Sequence, residues 1–276
     1  MTALIVEPLT PASRARFAVT DAVTAVRRFL LRSVRQPDIV VGGLLMPIVF
    51  VLLFGYVFGS SIHVPGGNYR AYLMSGLFAQ ATLFASASVA VAVATDMSEG
   101  VIDRFKTLPI TRSSVLIGRT VSTQIVGLPS LIVMICCGLA VGWRAENGLG
   151  DAVAAFALLA LFGFAMGWVG SVIGLYAKSP QSADVLSMTP TFLLGFVSSV
   201  FVNTANMPAW LRAFANWNPV SAVAAAARSL FGTTEGVPEP SVWSLQHPVV
   251  TTLGMSALLL AVMVPLAVRR YSRVVR

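Results

Sequence analysis

The segment 96–119 carries the side chains of this chain that are best suited to specific recognition. It reads DMSEGVIDRFKTLPITRSSVLIGR, with charges at Glu99, Asp103, Arg104, Lys106 and Arg112 and an apolar row at Val101, Phe105 and Leu108. Apolar residues at this spacing share one face of a helix. A short amphipathic helix that ends at the turn Leu108-Pro109 is suited to docking into a groove on another protein, and less suited to covalent chemistry. The alternative is an ordinary cytoplasmic loop whose charges are solvated.

The sequence lacks the groups that hydrolysis or proton transfer inside a membrane would need. None of its long apolar stretches contains a charged side chain, and His63 and His247 lie outside them, which argues against a proton relay. No phosphate-binding loop with Gly-Lys-Ser or Gly-Lys-Thr occurs, so this chain does not hydrolyse ATP by that route. The adjacent Cys136 and Cys137 point in different directions on a helix, which favours apolar packing over a disulfide or metal site. We therefore expect no enzymatic activity and no bound cofactor or metal.

The composition is that of a polytopic membrane protein. Hydrophobic residues make up 56% of the 276 residues and charged residues 11%, and the mean hydropathy is +0.80. Six stretches approach or exceed the roughly 20 residues that a helix needs to cross a bilayer: 39–59, 71–95, 120–141, 152–177, 185–203 and 249–268. Their continuous hydrophobicity predicts an all-α fold and not a membrane barrel. We expect one domain over 1–276, with a cytoplasmic arm at 1–38, a six-helix body at 39–268 and a tail at 269–276.

The positions of the basic residues predict the orientation of these helices. The N-terminal arm, the segment 96–119, the loop at Lys178 and the tail together carry 15 of the 19 lysines and arginines. Because basic residues accumulate on the cytoplasmic side, we expect both termini to lie there. The net charge of +8 collects beside membrane spans, where anionic lipids attract it, and we expect no nucleic-acid partner.

The N-terminal arm contains a second amphipathic stretch, at 14–35. Its apolar residues fall on one helix face and Arg28 and Arg32 on the other, a pattern typical of a helix that lies along the membrane surface. Pro37 follows it and turns the chain toward the first span. The arginines then reach lipid phosphates or a cytoplasmic partner.

Aromatic residues of two spans and of the outer segment are candidates for a substrate path. They are Phe50, Phe54, Phe192, Phe196, Trp210, Phe214 and Trp217. Packing against lipid or against neighbouring helices is the alternative for each of them. In the fourth span, Gly163, Gly167, Gly170 and Gly174 share a helix face, which predicts close helix packing.

The outer segment 203–232 is too polar to span a membrane and too apolar for a plain loop. Its pattern predicts a short amphipathic helix up to Trp217, a break at Asn218-Pro219, and a second helix that ends near Arg228. Tryptophans at headgroup level and an Arg228 that snorkels to water or phosphate at the outer interface would suit this arrangement. An interfacial hairpin with no role in transport is the alternative.

Two segments resemble the signatures of a known family. The segment 96–119 is similar to the cytoplasmic signature of permease subunits of type-two ABC exporters, especially the daunorubicin-resistance branch; the matching residues are Glu99-Gly100, Ile102-Asp103-Arg104-Phe105, Leu108-Pro109, Arg112 and Gly118-Arg119. The outer segment resembles the second signature of that family at Met207-Pro208, Trp210, Asn218-Pro219, Arg228 and Gly232. With the six predicted spans, the resemblance covers essentially the whole chain.

The resemblance implies a half-transporter in the bacterial cytoplasmic membrane. Two such permeases, identical or closely related, would join two ATPase subunits that bind ATP and Mg. The implied ATPase-coupling residues are Glu99, Gly100, Asp103, Arg104, Phe105, Leu108, Pro109, Arg28 and Arg32. The expected cargo is a lipophilic drug, antibiotic or lipid. The alternatives are a permease for polysaccharide or another glycoconjugate, and a six-span scaffold with no transport path.

Overall fold

The computed structural model describes residues 26–27, 45, 48–58, 69–99, 112–201, 204, 207–234 and 242–274. All regular secondary structure within these residues is helical. Apart from residues 26 and 27, which are helical, the predicted surface helix at 14–35 lies outside the described residues. Most of the predicted docking helix also lies outside the described residues, which end at Glu99 and begin again at Arg112.

Eight α-helices follow one another along the described chain. They are α1 (Tyr69–Ser98), α2 (Arg112–Ala140), α3 (Leu149–Tyr176), α4 (Pro180–Phe196), α5 (Ala209–Trp217), α6 (Pro219–Phe231), α7 (Trp243–Gln246) and α8 (Pro248–Val274). Before them, residues 48–58 are helical and end in a π-helical turn, Leu53–Phe58. Four helices are long and apolar enough to cross a membrane, namely α1, most of α2, α3 and α8. These four overlap the second, third, fourth and sixth predicted spans.

The fifth predicted span, 185–203, differs from the helix that forms there. Helix α4 begins at Pro180, where the Ser179 hydroxyl accepts from the Ser182 backbone N–H at 3.1 Å and the Ser182 hydroxyl accepts from the Ser179 N–H at 2.9 Å. This reciprocal cap fixes an earlier start than the apolar pattern indicated. The helix ends at Phe196 after 17 residues, because side chains of other helices take up the carbonyl groups beyond it. The first predicted span is described only at 45 and 48–58.

Helix α1 is the centre of the fold and contacts α2, α3, α4 and α6. The glycines of α3 let the two backbones meet: a Cβ atom added at Gly170 would overlap the Ser86 carbonyl oxygen, and one at Gly174 would lie 2.5 Å from the Ala90 carbonyl oxygen. The predicted small-residue face is therefore a backbone contact between α3 and α1 at Gly170 and Gly174, while Gly163 and Gly167 face side chains of α1 and α2. This contact sets the position of α1, which carries part of the candidate site.

Candidate functional site

Six phenylalanines from three parts of the chain form a closed circuit of ring contacts, the phenylalanine circuit. The ring centroids are 5.9 Å apart for Phe50 and Phe54, 4.4 Å for Phe54 and Phe201, 5.3 Å for Phe201 and Phe196, 5.7 Å for Phe196 and Phe192, 5.6 Å for Phe192 and Phe84, and 6.3 Å for Phe84 and Phe50. All these separations lie in the range of favourable aromatic pairs. Four of the seven aromatic residues singled out from the sequence thus meet at one place.

Helix periodicity and one irregular turn place these rings. Phe192 and Phe196 are four residues apart on α4 and stack with an interplanar angle of 13°, as neighbours on one helix face do. Phe50 and Phe54 have the same spacing, and Phe54 lies within the π-helical turn. Such turns are rare and occur frequently at functional sites. Here the turn carries the ring of Phe54 onto Phe201.

The phenylalanine circuit has an exposed edge and a buried edge. Phe192 and Phe196 are 43% and 47% exposed, whereas Phe201 is 6% exposed. Rings supported on one side and open on the other offer a flat apolar surface with polarised faces, which suits stacking with an aromatic or polyunsaturated molecule. The chemistry available is therefore reversible binding.

The other three predicted path residues lie elsewhere. Trp210, Phe214 and Trp217 belong to the amphipathic helix α5, and all three are exposed. Within the described residues, no ring contact joins them to the phenylalanine circuit. The outer hairpin itself has the two helices predicted from the sequence, although the second continues to Phe231.

Two members of the phenylalanine circuit, Phe84 and Phe201, were not singled out from the sequence. Phe84 directly precedes the small-residue stretch 85–92, and one large ring beside a run of alanines and serines is the signal that could have identified it. Phe201 carries no local signal, because it falls within the predicted span 185–203. Its position depends on where α4 ends.

Helix α6 is a buried short helix packed on α1, α3 and α8. It begins at the Asn218-Pro219 break, where the Asn218 side-chain oxygen accepts from the Val220 N–H at 2.9 Å. The Asn218 amide nitrogen donates to the carbonyl oxygens of Leu194 and Val197 at 2.7 and 2.6 Å. One side chain thus caps the start of α6 and takes up carbonyls at the end of α4.

Arg228 was expected to reach water or phosphate at the outer interface, and that expectation is wrong. Its side chain is 4% exposed. The guanidinium donates from Nη2 to the carbonyl oxygens of Ser199 and Val200 at 2.7 and 3.1 Å, and from Nε to that of Tyr72 at 3.2 Å. It also lies 3.5 Å from the centroid of the Tyr72 ring. Charge-assisted hydrogen bonds and the cation–π contact compensate for the lost hydration, so the charge stays inside.

Two tyrosines complete the set of side chains around the end of α4. The Tyr72 hydroxyl donates to the Ser199 carbonyl at 2.7 Å, and the Tyr69 hydroxyl donates to the Phe201 carbonyl at 3.3 Å. Backbone groups freed from a helix must find partners when no water is present. Arg228, Asn218 and these tyrosines supply them, and in doing so they hold Phe201 in the phenylalanine circuit.

The far end of α6 is held by the loop between α2 and α3. The Glu146 backbone N–H donates to the Phe231 carbonyl at 2.8 Å, and the Asn147 side-chain amide donates to the Ser229 carbonyl at 2.9 Å. Gly232 follows with φ at 76°, a left-handed conformation that favours glycine as the residue that ends a helix. The outer segment is therefore fixed at both ends.

Of the predicted ATPase-coupling residues, only Glu99 is described. Its backbone N–H donates to the Thr95 carbonyl at 2.9 Å. Gly100, Asp103, Arg104, Phe105, Leu108, Pro109, Arg28 and Arg32 lie outside the described residues. An ion pair of 3.2 Å joins Asp96 on α1 to Arg119 on α2, and it ties together the two helices that flank this segment.

No cluster of ligating side chains that could hold a metal ion occurs in the part of the chain that the structure describes. The Arg228 guanidinium of α6 is satisfied by backbone carbonyls and by the Tyr72 ring. What this region presents to a ligand is the aromatic surface.

Comparison with known proteins gives a consistent result. The ABC-2 type transporter family matches residues 20–231. The chain is 31% identical over 254 residues to the daunorubicin resistance ABC transporter permease protein DrrB1 of Streptomyces coeruleorubidus, covering 92% of this chain and 87% of that protein. It is 27% identical over 215 residues to a probable doxorubicin resistance ABC transporter permease protein, DrrC, of Mycobacterium tuberculosis, with 78% of each chain covered. A putative transport permease, ycf38, of Pyropia yezoensis is 21% identical over 221 residues, covering 78% of this chain and 75% of that protein.

Proposed function

Because the chain belongs to the ABC-2 type transporter family, we propose that it is the permease subunit of an ATP-driven exporter for lipophilic molecules. The cargo, a drug, an antibiotic or a lipid, would leave the cytoplasm or the inner leaflet. The names of two relatives refer to resistance to daunorubicin and doxorubicin, and both support this class of substrate. A glycoconjugate exporter would need polar groups along its path.

The phenylalanine circuit is the observation that carries the substrate proposal. A planar apolar molecule that leaves lipid gains nothing from a merely apolar wall, because lipid tails are equally apolar. Aromatic faces add a specific attraction, since offset and edge contacts between rings are worth about 0.5–1.5 kcal/mol each. Phe192 and Phe196, about half exposed, would supply these contacts to the substrate.

The ATP-binding side of the transporter would be a separate pair of ATPase subunits with ATP and Mg. Two permeases, identical or closely related, would complete it in the bacterial cytoplasmic membrane, with both termini in the cytoplasm. The segment 96–119, with Phe105 and Glu99 as its principal contacts, would dock into the ATPase and transmit closure to α1 and α2. A six-span scaffold is the competing class, and it predicts no binding of a lipophilic molecule.

Replacing Phe196 with alanine is expected to weaken binding of a planar lipophilic probe about two- to tenfold, which corresponds to the loss of one ring contact. Doxorubicin is a suitable probe, because its fluorescence reports binding to the full chain in lipid nanodiscs. The matched control is Phe214→Ala, since Phe214 is 46% exposed against 47% for Phe196 but lies outside the phenylalanine circuit. Equal affinities of the two variants would remove the circuit from the substrate path, and no binding by the wild type would favour the scaffold.

Breaking the Asp96–Arg119 ion pair is expected to weaken the contact between α1 and α2, the two helices that flank the segment 96–119. Arg119→Glu replaces the guanidinium that lies 3.2 Å from the Asp96 carboxylate with a second carboxylate, and the like charges destabilise the contact between the flanking helices. We expect a several-fold loss of ATPase co-purification, and partial recovery when Asp96→Arg is added to restore opposite charges. Labelling of a cysteine at Ser98 from the cytoplasmic side serves as the insertion control. Unchanged ATPase association in Arg119→Glu would show that the segment docks without this pair.

A further inference from the structure

Gln80 is a buried amide without a hydrogen-bond partner among the described residues. It lies on α1 with 2% of its surface exposed, and neither its Nε2 nor its Oε1 makes a hydrogen bond there. A glutamine amide offers two donor hydrogens and an acceptor oxygen. Leaving them unmatched inside a protein costs free energy, and native structures rarely accept this cost without a functional reason.

Buried or half-buried hydroxyl side chains near Gln80 on the same helix are satisfied. Ser75 lies 3.0 Å from the Thr233 hydroxyl, and the hydroxyls of Thr82 and Ser86 each donate to a carbonyl one turn earlier at 2.7 Å. These serines and threonines show that α1 accepts polar residues when a partner is at hand. Asp96, near the end of the helix, pairs with Arg119. Gln80 differs from all of these residues, because neither polar atom of its side chain has a hydrogen-bond partner among the described residues.

The amide of Gln80 lies beside the phenylalanine circuit. A Cβ atom added at Gly195 would collide with both Nε2 and Oε1 of Gln80, so the amide rests directly on the backbone of α4 at this glycine. Gly195 is flanked by Phe192, one turn earlier, and Phe196, its neighbour. Phe84 follows Gln80 by one turn on α1, and residues with this spacing share a helix face. The unmatched polar group and the exposed rings are therefore parts of one place in the seam between α1 and α4.

We propose that the Gln80 amide is a hydrogen-bonding contact for the substrate and selects flat apolar molecules that carry a hydroxyl or carbonyl oxygen. This inference rests on the proposed function. Binding sites for lipophilic molecules combine an apolar lining with a few polar groups that fix orientation. An uncharged amide can donate a hydrogen bond to a carbonyl or accept one from a hydroxyl, and the substrate needs no charge for either contact. A substrate seated on Phe192 and Phe196 reaches the amide when the contact between α1 and α4 widens.

The test compares two probes that share a ring system and differ in one hydroxyl group, 1-pyrenemethanol and 1-methylpyrene. Each is titrated onto the full chain in lipid nanodiscs, with empty nanodiscs as the blank for lipid partitioning. The wild type is expected to prefer 1-pyrenemethanol about three- to tenfold, the ratio that one neutral hydrogen bond provides. In Gln80→Leu the preference disappears, while the affinity for 1-methylpyrene stays the same or increases.

The matched control is Gln124→Leu on α2. Gln124 is a second glutamine of an apolar helix, and its amide already donates to the Ala160 carbonyl at 3.5 Å. This variant is expected to keep the preference for 1-pyrenemethanol. A preference that survives in Gln80→Leu, or equal affinity of the wild type for the two probes, overturns the inference. Weaker binding of both probes in Phe196→Ala would still support the proposed function in that case, so failure of the inference and failure of the proposed function are distinguishable.

A second variant separates the role of the amide from effects on folding. Gly195→Ala introduces a methyl group where the amide now rests, and the flexible end of Gln80 can move away without a shift of backbone. This variant is expected to lose the preference for 1-pyrenemethanol although Gln80 is intact. Gln80→Leu is expected to raise the midpoint of thermal unfolding, because an apolar group replaces an unmatched polar one. A lower midpoint in Gln80→Leu would assign the amide a structural role and overturn the inference.

Discussion

Replacement of Arg228 with alanine is expected to destabilise the protein by about 3 kcal/mol or more. The guanidinium takes up carbonyl groups from α1 and from the turn after α4, at Tyr72, Ser199 and Val200. Without it, the two carbonyls of the turn lose a charged donor in a region sealed from water. Hydrogen bonds to charged groups are worth about 1.5–3 kcal/mol each, and the loss of several is partly offset by relaxation.

The free energy of unfolding is to be measured for the full chain in mixed micelles with rising amounts of denaturing detergent. Arg228→Lys keeps the charge but provides a compact ammonium group in place of the planar fork, so we expect it to recover less than half of the loss. Arg212→Ala is the control, because Arg212 is exposed on the neighbouring helix α5. If Arg228→Ala and Arg212→Ala prove equally stable, the buried contacts of Arg228 contribute nothing to the fold.

This substitution is also expected to disturb the phenylalanine circuit at a distance. Arg228 holds the carbonyls of Ser199 and Val200, the two residues that precede Phe201. Release of the turn lets Phe201 leave its contact of 4.4 Å with Phe54. Binding of doxorubicin should therefore weaken in Arg228→Ala even under conditions in which the protein remains folded.

Substitution of Gly170 by valine is expected to cost about 3 kcal/mol, the upper end of the usual range for overpacking. The Cβ atom at this position would overlap the Ser86 carbonyl oxygen and lie 3.0 Å from its carbon and 3.2 Å from the Ala90 nitrogen. All three atoms belong to the backbone of α1. They cannot rotate away as the end of a side chain would, so the two central helices must separate.

Gly254→Val is the matched control for this substitution. Gly254 lies on α8, an apolar helix of similar length, and a Cβ atom there would meet nothing within 4 Å. Valine at Gly254 should therefore leave the unfolding free energy within about 0.5 kcal/mol of the wild type. Equal stability of the two valine variants would mean that α1 and α3 are not held by backbone contact at Gly170.

The sequence alone determined the class of this protein and the position of its long helices. Uncharged stretches of sufficient length must form helices in lipid, because no other single segment satisfies its own backbone there. The glycine spacing of α3 and the break at Asn218-Pro219 are likewise local signals. They predicted a close helix contact and a hairpin of two short helices, and the structure contains both.

The tertiary structure decided which of the marked residues act together. Sequence grouped Trp210 and Phe214 with Phe192 and Phe196 as equivalent aromatics, but the fold brings only the latter two into the phenylalanine circuit. The fold also buries Arg228 within the protein, although an arginine near an interface ordinarily reaches water. The reason in both cases is the early end of α4. Its unwound carbonyls take donors from α1 at Tyr69 and Tyr72, more than 100 positions away, and from α6 at Arg228, 28 and 29 positions away. Pairings between residues so far apart leave no periodic trace in the sequence.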